Sequence, residues 1–349
     1  MLKLKQLLSE NVLTKLLKEY TEEELGKALD KAFKGGPVAT RKFLNSPMGQ
    51  DASLNSLLKK PEPETDGDAG DDKITVSGPT PISVAPDSML PTQNIIDAMS
   101  SIAFPMGSAK SLALAITRKK GFGTIVISDN LIIDGHHRWS ATIAITPDGK
   151  INALDVKWPG TDTNEKLAAA QIAIASTLKP GTKQPSAKAE PGTNILGKAK
   201  AVTAKIIMAN VGKQPDPDAP GPLLNDKMME VLTDPSKPEH KTVFGWLGID
   251  TFTEAKPEDA DKLRQAIANK VAANLALIKK NPSAPDREDM PQFDPKRGGP
   301  ELKAGGDLTT ALKTGKINVS PPFVKDGYKA KGNALKEHFK KIVNMNKGK

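Results

Sequence analysis

Residues 124–145 read TIVISDNLIIDGHHRWSATIAI, and the fold is decided there. Two short apolar runs, Ile125–Ile127 and Leu131–Ile133, flank an Asp129-Asn130 turn, which predicts a pair of strands. Asp134-Gly135-His136-His137-Arg138 follows, and Trp139 to Ile143 then has helical spacing. A glycine at a strand-to-helix junction lets the backbone turn tightly. The N–H groups of the new helix then point outward, where an anion can dock. Arg138 adds a planar, permanently charged fork suited to phosphate. Gly135, His136, His137 and Arg138 are therefore the expected phosphate- or nucleotide-binding residues. Asp134 has two readings, a cap for the helix or a ligand for magnesium. His136 and His137 make a poor metal pair, because neighbours on a helix point about 100° apart and no third ligand is evident.

The composition sets outer bounds. A chain of 349 residues with 38% hydrophobic content can bury at least one core and has room for two or three domains. Cysteine is absent, which excludes disulfides and thiolate metal sites. The net charge of +9 favours polyanionic partners, nucleic acid among them, without bearing on the fold. No run approaches the roughly 18–20 apolar residues that cross a bilayer, and the N-terminus lacks a signal-peptide pattern. The expectation is a cytoplasmic protein with no membrane partner.

Along the chain, 1–60 reads as a helical region, with a capping box at Thr21–Glu24 and a stop at Gly35-Gly36. Residues 61–72, PEPETDGDAGDD, form an acidic linker. Residues 73–178 read as one unit. It holds strands at 74–76, 82–84 and 153–156, helices at 94–104, 108–118 and 163–178, and the central stretch. Thr161, Asp162 or Thr163 caps the last helix. A second linker spans 179–193. The region 194–281 is helical, with helices at 194–211, 226–232 and from Pro257 to Lys280, the last striped by Leu263, Ile267, Val271, Leu275 and Ile278. Residues 282–349 are loop-rich and end in a basic helix. The lysine face of 325–349, eight lysines against two acids, is the candidate nucleic-acid surface.

Taken together, residues of about 75–178 resemble the ParB N-terminal/sulfiredoxin-like superfamily. Its members run from a strand through a Pro-containing loop and a helix to a hairpin and a phosphate-binding signature at a helix start. Asp134–Arg138 matches the Asp-Gly-His-His-Arg form found in ParB-like free-amino-acid kinases. Ile82–Pro86 and Leu90–Gln93 match the strand and loop. The resemblance implies an α+β fold, a small mixed-sheet domain flanked by N- and C-terminal helical regions. It also implies a nucleotide tri- or diphosphate with magnesium as cofactor. His136 stands where sulfiredoxins carry their reactive cysteine, which excludes that chemistry. The kinases use an upstream acid as base; no glutamate lies between 74 and 164, leaving Asp87 or Asp97.

Three functions follow. The first is a nucleotide- or phosphate-binding ParB-like protein associated with nucleic acid. The second is a phosphotransferase or nuclease, with His136 as acid/base and Asp134 holding magnesium. The third is a bacteriophage-type structural protein that retains the domain as a scaffold for self-assembly or virion partners.

Overall fold

The computed structural model describes residues 20–50, Leu58 and 79–317, apart from 119–120, 179–180, 190–191, 198–201, 255, 257, 294, 296–297, 301–306 and 315–316. The leucine-rich start, the acidic linker, the 74–76 strand and the basic C-terminal helix lie outside the described residues.

The central stretch folds as its pattern predicts. Strands β3 (Ile125–Ser128) and β4 (Leu131–Asp134) pair antiparallel around the two-residue turn, with Asp129 at φ 57°. Every residue of β3 is buried, as a strand covered on both faces must be. Side chains alternate between faces: Ile125, Ile127 and Ile132 enter one core, Val126 and Ile133 the other. Three more strands complete a mixed sheet of order β1-β5-β3-β4-β2: β1 (Thr80–Val84), β2 (Leu90–Pro91) and β5 (Ile151–Asp155). Pro91 fits its place on the outermost strand, where a missing N–H costs no ladder bond.

Helices cover both faces. On the first lie α3 (Ala98–Met106), α4 (Ala109–Arg118) and α5 (His136–Ile145), contributing Ile102, Leu112, Trp139 and Ile143. The second face carries α6 (Thr163–Ala175), with α1 (Glu22–Lys34) and α2 (Gly36–Leu44) beyond it. Asp162 caps α6, and Thr21 and Glu24 form the expected reciprocal cap of α1. The architecture is mixed α/β, a five-stranded sheet with eleven α-helices among the described residues. None of these helices is long and apolar enough to cross a membrane.

The helices after residue 193 share the first core. They are α7 (Ala204–Met208), α8 (Asp226–Thr233), α9 (Pro238–Leu247) and α10 (Asp259–Leu275), with α11 (Leu308–Lys313) following on the second face. Leu263, Ile267, Val271 and Leu275 are buried together with Trp139 and Ile143. Side chains from this region also close the end of α5. Asn274 donates to the Ala144 carbonyl at 2.8 Å, and the Trp246 indole donates to that of Ile145 at 2.9 Å. The segment expected to be a linker is tied down as well. Asn45 and Gln184 exchange hydrogen bonds of 2.7 and 2.9 Å, Ala187 is buried, and Ala98 N–H donates to the Thr193 carbonyl.

The helix expected over 194–211 is replaced by a turn and the short α7. Asn194 is the reason. Its side-chain oxygen accepts from Ile96 and Leu196 N–H and its amide donates to Asn94, so side chain and backbone compete. Thr203 then caps α7 afresh. The other helices differ from expectation by a few residues at their ends. The apolar patch 243–247 lies within α9.

Two predictions follow from this packing. Ile267→Ala should cost roughly 2–5 kcal/mol, as a large-to-small change in a closed core. Because that core is shared with the sheet, the urea transition followed by tryptophan fluorescence should shift with it. At the hairpin turn, Lys157 and Lys166 both bond Asp129 and hold its carboxyl below its usual 3.8. A depressed folded-state value stabilises above 3.8, and that contribution is lost as the pH falls through it. Asp129→Asn should therefore be less stable than the native chain at neutral pH and match it in strong acid, by urea titration at both pH values.

Candidate functional site

The β4–α5 junction turns on Gly135, at φ 94° and ψ 28°. That left-handed conformation is disfavoured for a residue with a side chain. Space forbids one too: a Cβ there would stand 2.7 Å from Ile125 Cγ2 and 3.0 Å from two guanidinium nitrogens of Arg138. No side chain caps α5.

The residues around the glycine have distinct surroundings. Asp134 does not cap the helix. It precedes the glycine N-cap and stands four residues before Arg138, so its Oδ2 accepts from Arg138 Nη2 at 2.8 Å. The same guanidinium approaches Asp307 of the α11 cap at 3.7 Å. Its Nε is buried and has no hydrogen-bond partner among the described residues.

His136 is buried, and its Nε2 accepts the Thr92 backbone N–H at 3.1 Å, which places the ring proton on Nδ1. Thr92 Oγ1 in turn donates to the Ile132 carbonyl. His136 thus pins the β2 loop to β4. His137 is different: its Nδ1 lies 2.9 Å from Ser101 Oγ, which bonds Ser140 Oγ and the Asp97 carbonyl. This chain of hydroxyls fixes α3 against the start of α5.

All five residues of Asp134–Arg138 line one cleft of about 310 Å³. Gln93, Ser100, Ser101 and Phe104 form the α3 side; Asp216 and Asp218 come from the proline-dense loop. Arg287, Gln292, Phe293 and Asp307 arrive from the C-terminal part of the chain, where the sequence offers only loop composition. Arg287 donates to Gln93 Oε1 at 2.9 Å across 194 residues of sequence. No local signal marks such a pair; Arg287 sits in the sequence between two acids, with nothing to single it out.

The kinase-like base is not brought here. Asp97 caps α3 through Ser100, Asp87 lies in the short turn after β1, and neither lines the cleft. Two guanidiniums and four carboxylates do line it. Among the described residues no group of three or more His, Asp or Glu is placed to hold a metal ion. No family model, curated protein or solved structure matches the chain.

Gly135→Ala tests the junction. The backbone alone should cost about 1–2 kcal/mol in denaturant titrations. The loss should exceed that figure, because the added carbon also displaces Ile125 or Arg138.

Proposed function

We propose that this is a ParB-like protein whose cleft at the start of α5 binds a phosphate-bearing ligand. A nucleotide tri- or diphosphate is the class that the signature implies. One observation carries the reading: the uncapped N-terminus of α5 meets the cleft that Arg138 and Arg287 also line. Backbone N–H groups and the helix dipole favour an anion there, and guanidinium forks match phosphate oxygens. The chain order supports the family as well. Strand β1, the loop with Pro86 and Pro91, α3, the β3–β4 hairpin and the signature on α5 follow in the sequence that the resemblance implies.

The acids of the cleft suit a phosphate accompanied by magnesium. That ion commonly takes one or two carboxylates from the protein and the rest of its ligands from phosphate and water. Asp134 and Asp307, both against Arg138, are the residues that would hold it. The ion would neutralise phosphate charge there.

Binding is favoured over phosphotransfer or nuclease chemistry through His136 and Asp134. His136 Nε2 is engaged by a backbone amide, and neither Asp87 nor Asp97 lines the cleft to serve as a base. Nucleic-acid association rests on the net charge and on the lysines of 325–349, which lie outside the described residues.

Thermal shift against phosphate, pyrophosphate and nucleotides, each with and without magnesium, tests the reading. A ligand at about a hundred times its Kd stabilises by ~2.7 kcal/mol, a rise of several degrees in melting temperature. Arg138→Ala should remove the rise. Asp307→Asn should enlarge it for magnesium-free phosphate, because a competing carboxylate has gone. No rise with any member of the panel would refute the proposal.

A further inference from the structure

The cleft has an aromatic end as well as a cationic one. Among the described residues the exposed large apolar side chains are Val38, Phe104, Leu114, Ile249 and Leu277, and Phe104 alone of these is aromatic. Isolated exposed apolar residues are ordinary on any surface. The position of Phe104 is what distinguishes it: it is 47% exposed and lines the same cleft as the signature. Phe122 and Phe293 line it too. Three of the chain's nine phenylalanines thus gather among twenty lining residues, where composition would place fewer than one.

Helix α3 joins the two ends. Ser101 Oγ lies 2.9 Å from His137 Nδ1, so this point of α3 touches the first turn of α5. Phe104 follows three residues later on the same face, a rise of about 4.5 Å along the helix. An anion at Arg138 and a flat ring on Phe104 would therefore share one cleft. Stacking on an aromatic side chain is tolerant of base identity, because every base has a π-face.

Resting on the phosphate reading above, we infer that the ligand is a nucleotide whose base stacks on Phe104 while its phosphate lies at the start of α5.

Calorimetric titration of the full chain with inorganic phosphate, ribose 5-phosphate and the four ribonucleoside monophosphates and triphosphates, with magnesium, tests this. The native protein should bind at least one nucleoside monophosphate roughly tenfold or more tightly than ribose 5-phosphate. Phe104→Ala should erase that preference while leaving ribose 5-phosphate affinity unchanged, and Phe104→Trp should preserve it. Phe104 is half exposed, so unchanged melting temperatures should show both variants folded.

Equal affinity for ribose 5-phosphate and every nucleotide in the native protein would overturn the base subsite and leave phosphate binding intact. So would an alanine variant that weakens all ligands alike. Failure of every phosphate compound to bind would instead remove the underlying reading.

Discussion

A single backbone angle governs this molecule. At Gly135 the chain leaves β4 and starts α5 with φ at 94°, in a space where a Cβ would collide with Ile125 on one side and the Arg138 guanidinium on the other. The glycine lets three things meet that otherwise conflict. The strand keeps its place in the buried sheet, the helix packs Trp139 into the first core, and Arg138 folds back beside Asp134. Two neighbouring histidines then diverge in role because helical geometry separates them. His136 turns inward to hold the β2 loop through Thr92, and His137 turns toward α3 and the cleft.

The second determinant is how α5 ends. The last carbonyls of any helix lack partners within it and must find them elsewhere. Here Asn274 of α10 and Trp246 of α9 supply two of them, both from more than a hundred residues downstream. Helix α5 is therefore gripped at its far end by the helical region, whose apolar stripe also covers the sheet-side core.

Much of this was legible in the sequence wherever the information is local. Two short apolar runs around Asp129-Asn130 announced the hairpin, the 263–275 stripe announced α10, and Thr161-Asp162-Thr163 marked the start of α6, where Asp162 is the one that caps. Asp134–Arg138 was visible as a unit and its five residues do share a cleft. What was hidden depends on long-range partners. Asn194 looked helical until its side chain found Ile96, and Asp134 looked like a cap until the glycine took that position. One wall of the cleft was equally silent, because Arg287, Gln292, Phe293 and Asp307 reach it from segments with no periodicity. Phe104 read simply as the end of an amphipathic helix.

The closure of α5 by Asn274 and Trp246 bears on how this architecture can be inherited. A strand-and-helix unit spanning 80–175 cannot be lifted out as a cassette. Cut loose, it would present two bare carbonyls and an uncovered apolar face. Recombination that moves α5 to a new setting must carry the downstream helices with it or find a replacement for both caps.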